Sequence, residues 1–185
     1  MKKVFNKAYQ MFIHGHEKEA FPLFLSCVNK GYLGGVGYCL CSFYDNHGIT
    51  RDEFINKYVN KLLSIENSDD ADILVSQGYC YDRGYGVNKD YNKAINCFNK
   101  ALAIDKNHAV ALHWLGYCYY SGYGVSENEN KAGELFVRSA QLNYLRVIDR
   151  VIRGYKNGDY GLIKDKNKLE YWENEKKKIE SKKFN

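Results

Sequence analysis

Residues 78–87 read Gly-Tyr-Cys-Tyr-Asp-Arg-Gly-Tyr-Gly-Val, and residues 116–125 read Gly-Tyr-Cys-Tyr-Tyr-Ser-Gly-Tyr-Gly-Val. The second stretch repeats the first after thirty-eight residues. Each copy is followed by a Lys-Ala pair and a phenylalanine, which are Lys93, Ala94 and Phe98 in one copy and Lys131, Ala132 and Phe136 in the other. Self-similarity at a period between about 20 and 50 residues is typical of repeat architectures. The fold is therefore predicted to be an array of similar units.

Each unit has the pattern of two helices joined by a glycine turn. Apolar residues recur at spacings of three and four, as in Val110, Ala111, Trp114, Leu115 and Cys118 before the turn and Ala94, Ile95, Phe98, Ala101 and Leu102 after it. That spacing places them on one helical face. Gly84 and Gly122 stand where the first helix must end and the chain reverse, so both are predicted to have a positive φ. One hairpin cannot bury its apolar faces alone, so stacked neighbours are expected to bury them together.

Weaker copies flank the two clear ones. The last copy carries one additional residue between its turn glycines, Gly158 and Gly161, and in the first copy the segment 46–49 (Asn-His-Gly-Ile) replaces the double-glycine turn. Pro22 is expected early in the second helix of a divergent first hairpin, where a missing N–H costs little. The predicted division is an N-terminal hairpin at 1–30, a degenerate repeat at 31–68, repeats at 69–106 and 107–143, and a degenerate repeat with a Lys-rich helix or tail at 144–185.

Composition limits the class of protein. The chain has 185 residues with 45% hydrophobic and 26% charged residues, which favours a folded core over disorder. The net charge of +5 is not concentrated in a basic stripe with interleaved aromatics, so no nucleic-acid partner is expected. Neither a signal segment nor a membrane-spanning run is recognisable. The sequence thus predicts a soluble, cytoplasmic protein without membrane insertion, while delivery into a host cell by another route stays open.

The repeated pattern resembles the Sel1-like repeat family, a relative of the tetratricopeptide repeats. The residues that carry the resemblance are the Gly-x-Gly-Val turns with the preceding tyrosines and the Lys-Ala and phenylalanine positions, and the match is most specific over residues 70–142. The resemblance implies an all-α fold, a right-handed superhelical solenoid of α/α hairpins. It also implies a scaffold that mediates protein–protein interaction.

The sequence offers little support for metal or catalytic chemistry. Cys39, Cys80 and Cys118 occupy one equivalent repeat position, which indicates packing rather than zinc ligation, and paired C-x₂-C motifs are absent. No G-x-S-x-G elbow accompanies the five histidines. The expectation is therefore a protein that is not an enzyme, with no catalytic residue, no metal and no cofactor.

The remaining candidate site is a surface. In the related families the first helix of each hairpin lines a concave side that holds a protein or peptide. Carried over residue by residue, the predicted partner-binding positions are Tyr38, Asp72, Val75, Tyr79, Asp82, Arg83, Val110, His113, Tyr117, Tyr120, Ser121, Arg146, Asp149, Arg153 and Lys156. The tyrosines have an equally weighted alternative, which is packing against the neighbouring unit.

Two functional hypotheses follow from these patterns. The first is a non-enzymatic scaffold or adaptor that holds a protein or peptide partner. The second is a hydrolase or ligand-binding protein that acts on a small cell-wall peptide or a β-lactam-like molecule, as suggested for cysteine-rich relatives. The partner and the oligomeric state are left open by the sequence.

Overall fold

The computed structural model describes residues 1–42 and 50–181, and this part of the chain is helical without a β-strand. Its α-helices are α1 (Lys2–Ile13), α2 (Glu17–Asn29), α3 (Val36–Cys41), α4 (Arg51–Phe54), α5 (Asn60–Leu63), α6 (Ala71–Arg83), α7 (Tyr91–Ile104), α8 (Ala109–Ser121), α9 (Glu129–Gln141), α10 (Leu145–Asn157) and α11 (Lys166–Glu180). A 3₁₀ turn at Leu33–Gly35 precedes α3, and a π-helical turn at Ile55–Val59 joins α4 to α5. The predicted all-α class is confirmed.

The chain forms two compact units. One comprises Met1–Phe12 and His16–Lys106, and the other comprises Ile13–Gly15 and Asn107–Asn185. Each unit contains one of the two hairpins that the sequence repeats most clearly. These hairpins are α6–α7 in the first unit and α8–α9 in the second.

The glycine turns have the predicted geometry. Gly84 ends α6 with a φ of +73°, and its N–H donates to the carbonyl of Cys80 at 2.8 Å. Gly122 ends α8 with a φ of +66° in the same left-handed conformation. Both positive φ predictions are confirmed, because reversal of the chain after the helix requires a conformation that glycine adopts without steric cost.

A close approach of glycine to phenylalanine holds the two helices of each hairpin together. A Cβ built on Gly78 would lie 2.5 Å from Cε1 of Phe98, and one built on Gly116 would lie 2.8 Å from Cε1 of Phe136. Both phenylalanine side chains are fully buried. The ring thus occupies the space that any larger residue on the facing helix would need.

A second recurring contact fixes the turn to the first helix. The N–H of Asp90 donates to the carbonyl of Tyr81 at 3.0 Å, and the N–H of Asn128 donates to that of Tyr119 at 2.9 Å. The same two residues cap the following helices, since each side chain accepts from a backbone N–H three residues on. The loop after the turn therefore ends at one defined point in both hairpins.

The last hairpin accommodates its additional residue in the turn. Asp165 caps α11 and its N–H donates to the carbonyl of Tyr155 at 3.0 Å, so the recurring contact is preserved. Two residues, Asp159 and Tyr160, lie between the glycines of this turn, and Tyr160 has a φ of +58°. A non-glycine residue in this conformation is uncommon and is held here by its surroundings.

The N-terminal part of the first unit differs from the predicted pattern in one respect. Pro22 lies inside α2, five residues after its first residue Glu17, and not in the first turn. The expectation of an early proline is wrong, because α2 already begins at Glu17, directly after the Gly15 turn and its N-cap His16, so that Pro22 follows more than one helical turn later. The turn predicted at residues 46–49 and the lysines at 182 and 183 lie outside the described residues.

The three equivalent cysteines are core residues. Cys39, Cys80 and Cys118 are fully buried, and none forms a disulfide. Burial raises the pKa of the Cys39 and Cys80 thiols, which keeps them protonated. Their environment matches the packing role that their repeat position indicates.

The helices are also too short or too polar to cross a bilayer. Across residues 1–42 and 50–181, none has the length and apolar character that a membrane span requires.

Candidate partner-binding surface

The structure divides the predicted binding positions by exposure. The side chains at six positions are buried, namely Tyr38, Val75, Tyr79, Asp82, Val110 and His113. Partly exposed positions are Asp72, Tyr117, Tyr120 and Ser121. Exposed positions are Arg83, Arg146, Asp149, Arg153 and Lys156. A partner can therefore touch only part of the predicted set without rearrangement of the helices.

Tyr38 serves the core of the first unit. Its ring stacks on Phe24 with 4.9 Å between centroids, and its hydroxyl donates to a carboxylate oxygen of Asp72 at 2.7 Å. Burial and the nearby Asp72 carboxylate raise the pKa of the Tyr38 hydroxyl. The contacts of Tyr38 are therefore those of a residue packed in the core rather than of one that faces a partner.

Tyr79 lies beside an exposed arginine. Its ring centroid is 5.8 Å from that of Tyr85 and 5.8 Å from the guanidinium of Arg83. Only 8% of Tyr79 is exposed, and burial followed by the neighbouring Cys41 raises the pKa of its hydroxyl. Nε of Arg83 also lies 3.1 Å from a carboxylate oxygen of Asp82. Burial raises the pKa of the Asp82 carboxyl. The accessible part of this site is thus Arg83.

In the second unit two tyrosines of α8 stay partly exposed. The ring of Tyr117 lies 5.9 Å from that of Tyr123 in the turn, and the ring of Tyr120 lies 4.9 Å from that of Tyr160. Both tyrosines therefore offer a ring face or edge to solvent while their positions are held by a second ring. Fixed, partly exposed tyrosines are common anchors of protein interfaces.

Two arginines of α10 complete this group. The guanidinium of Arg150 lies 5.5 Å from the ring centroid of Tyr117 and 5.4 Å from that of Phe136. The guanidinium of Arg153 lies 4.7 Å from the ring of Tyr160 and pairs with the carboxylate of Asp159 at 3.1 Å. We call Tyr117, Tyr120, Arg150, Arg153 and Tyr160 the aromatic–arginine cluster.

Two members of the cluster were not among the sequence-predicted positions. Arg150 occupies the repeat position of Ser76 and Trp114, both of which are buried. The sequence could have indicated Arg150 in one way, because it places an arginine at a repeat position whose other occupants are buried. Tyr160 lies between the turn glycines Gly158 and Gly161, and only the fold shows that its ring reaches α8.

The other predicted positions of the second unit lie in separate surroundings. His113 is buried, with its ring 5.4 Å from that of Tyr144. Asp149 pairs with Lys176 of α11 at 2.7 Å, and this contact raises the pKa of the lysine. Arg146 and Lys156 are exposed on α10.

Chemistry-bearing clusters are sparse in the described ranges. Within residues 1–42 and 50–181, no three His, Cys, Asp or Glu side chains are placed to share a metal ion. Cys97 lines an open cleft of about 400 Å³ beside Lys93 and Lys100, but burial raises the pKa of its thiol to about 11. A thiol with that pKa is a poor nucleophile near neutral pH.

Comparison with known proteins supports the repeat interpretation. The model of the Sel1 repeat matches residues 72–104 and 109–144. A crystal structure of a Sel1 repeat protein from Oxalobacter formigenes is similar, with a TM-score of 0.59 and 20% identity over 95% of this chain and 72% of that one. This likeness shows the fold. No protein with a curated description matches the chain.

Proposed function

We propose that this chain, whose residues 72–104 and 109–144 match the Sel1 repeat, is a non-enzymatic adaptor, since Sel1 repeat proteins generally act as protein-interaction scaffolds. It holds a protein or peptide partner on the first helices of its hairpins. The fold supplies rigid helices at fixed spacing, while specificity resides in the side chains on them.

The observation that carries this proposal is the aromatic–arginine cluster of the second unit. Interface anchors are enriched in tyrosine and arginine whose positions are fixed before binding, since little side-chain entropy is then lost. Tyr117 and Tyr120 are partly exposed, and each contacts a further ring. The cluster therefore combines apolar contact area with positive charge.

In the first unit the proposed contact is made by the exposed Arg83 and by the small exposed part of Tyr79. The buried positions of the predicted set, such as Val75 and Val110, keep the helix backbones in place. They contribute to binding through that support.

A partner captured from the native source by the full chain, and identified by mass spectrometry, provides the ligand for the test. Replacing Tyr117 and Tyr120 together by alanine should weaken its binding by more than about thirtyfold, because a truncated anchor typically costs about 2 kcal/mol or more. Isothermal titration calorimetry measures the affinity, and circular dichroism checks that the helices remain.

The matched control is Lys131→Glu, which reverses an exposed charge on α9 of the same unit. It should leave the affinity within about twofold, as rim or remote residues contribute little. Unchanged affinity of the tyrosine double variant would contradict the proposed surface. Turnover of cell-wall peptides or a β-lactam by the purified chain would instead support the hydrolase hypothesis.

A further inference from the structure

Arg150 is a partly buried cation on α10, and among the described residues it has no anionic partner. In residues 1–42 and 50–181 no carboxylate pairs with its guanidinium, whereas the neighbouring Arg153 is paired with Asp159 at 3.1 Å. The guanidinium of Arg150 lies 5.5 Å from the ring centroid of Tyr117 and 5.4 Å from that of Phe136.

This arrangement leaves the guanidinium under-compensated. Burial lowers its pKa, which reflects the cost of removing the charge from water. The rings of Tyr117 and Phe136 stabilise the cation through their faces, an effect of about 0.5–2 kcal/mol. The five N–H donors of the guanidinium point outward in the plane of that group, and the two rings provide no lone-pair acceptor for them. An acceptor from outside the chain would satisfy them.

We infer that Arg150 binds the side-chain carboxylate of a glutamate or aspartate in an acidic segment of the partner. This inference rests on the proposed function and specifies the chemistry that the second unit recognises. The planar guanidinium donates two parallel N–H bonds to a carboxylate, and such charge-assisted pairs are about twice as strong as neutral ones. Tyr117 and Tyr120 contact the residues that flank the carboxylate.

The charge balance favours a carboxylate over a phosphate. Within the aromatic–arginine cluster, Asp159 neutralises the charge of Arg153. The charge of Arg150 is therefore the one that a ligand would compensate. A phosphomonoester carries about 1.5–2 negative charges near neutral pH and would remain partly unpaired in this site. A single carboxylate, with one negative charge, matches the single positive charge of Arg150.

The test uses a set of synthetic peptides that contain tyrosine and leucine and are each made in two forms, with a central glutamate or a central glutamine. Fluorescence anisotropy measures their binding to the full chain. Wild-type protein should bind the glutamate form about tenfold or more tightly, the effect of one charge-assisted pair. The Nε–H resonance of Arg150 should shift on addition of that form only.

Two substitutions at Arg150 locate the preference. In Arg150→Met, which keeps an unbranched side chain against the rings of Tyr117 and Phe136, the two peptide forms should bind equally. In Arg150→Lys the preference should fall but persist, since lysine cannot form the paired hydrogen bonds. Lys131→Gln removes a charge from α9 and should retain the full preference.

The outcomes separate this inference from the proposed function. If both peptide forms bind wild type equally and Tyr117→Ala weakens both, the adaptor surface stands and the carboxylate inference is overturned. If no peptide binds, both are overturned. If a phosphopeptide or a single-stranded oligonucleotide displaces the glutamate form at lower concentration, the site is selective for phosphate, and the inference is overturned too.

Discussion

The hairpins α6–α7 and α8–α9 have nearly the same backbone but different surfaces. In both, a glycine with positive φ ends the first helix and a glycine within that helix faces a buried phenylalanine. In both, a tyrosine of the first helix contacts the tyrosine of the turn, at 5.8 Å for Tyr79 and 5.9 Å for Tyr117. These shared features arise from residues that are identical in the two copies.

The two equivalent tyrosines nevertheless differ in exposure. Tyr79 is 8% exposed and close to Cys41, while Tyr117 is partly exposed and has Arg150 against its ring. Each environment is created by the element packed next to the hairpin within its own unit. Equal repeat positions therefore specify equal backbones, but the neighbouring element decides whether a side chain is available to a partner.

The largest expected effect tests the shared core. Phe98→Ala and Phe136→Ala should each lower the free energy of unfolding by about 3–5 kcal/mol, because a fully buried ring leaves a cavity when removed. Urea unfolding followed by circular dichroism measures the loss. Ile104→Ala, at a side chain that is 50% exposed, is the control and should change stability little. A large loss in only one hairpin would show that the two cores are not equivalent.

The turn glycines should give a smaller effect that differs between the hairpins. Gly84→Val and Gly122→Val should each cost about 1–3 kcal/mol through backbone strain at positive φ. The cost at Gly84 should be greater, because an added Cβ lies 3.0 Å from Cγ of Lys89, whereas at Gly122 the nearest atom is 3.7 Å away. The urea midpoints of the two variants provide the measurement.

Asparagine at the same turns provides the control, because it tolerates the left-handed conformation better than valine. Gly84→Asn and Gly122→Asn should therefore recover much of the lost stability. Valine variants with unmoved midpoints would be inconsistent with strain at these positions.

A smaller difference should separate the two tyrosine hydroxyls. Tyr79→Phe removes a buried hydroxyl that interacts with Cys41 and should cost about 0.5–1.5 kcal/mol. Tyr117→Phe should cost less, since Tyr117 is less buried than Tyr79. Thermal melting of the two variants decides the comparison, and an equal change in both would contradict the difference in burial.

The smallest expected effect is a pH dependence of opposite sign at two carboxyls. Burial raises the pKa of Asp82 in the folded chain, so its contribution to stability improves as pH falls from the folded pKa towards the unfolded value near 4. Hydrogen bonds from the N-terminus of α11 lower the pKa of Asp165, so its stabilisation is lost as pH falls through the folded pKa.

Urea midpoints measured from pH 7 to pH 3 for the wild type, Asp82→Asn and Asp165→Asn test these signs. Relative to its asparagine variant, the wild type should gain stability on acidification at Asp82 and lose it at Asp165. Parallel curves for all three proteins would contradict both assignments.

The parts of this fold that could be predicted depend on local rules. The helix periodicity and the positive φ of the turn glycines follow from repeated residues whose backbone requirements are local. The position of Pro22 could not be predicted in the same way, because the start of α2 depends on the Gly15 turn, which has no counterpart in the repeat.

The candidate site was predicted less completely than the fold. The binding positions predicted from the resemblance include exposed residues such as Arg83 and Arg153, but they also include Tyr38 and Tyr79, which are buried. Side-chain exposure depends on contacts between elements far apart in the sequence. Helix periodicity contains no information about those contacts.

By itself the sequence determined that this chain forms helical hairpins with glycine turns, since a left-handed turn and a 3.6-residue apolar period are properties of a few adjacent residues. Only the tertiary structure decided which tyrosines remain accessible and that Arg150 lies against the rings of Tyr117 and Phe136. The physical reason is that burial and charge compensation depend on distant segments packed against each side chain.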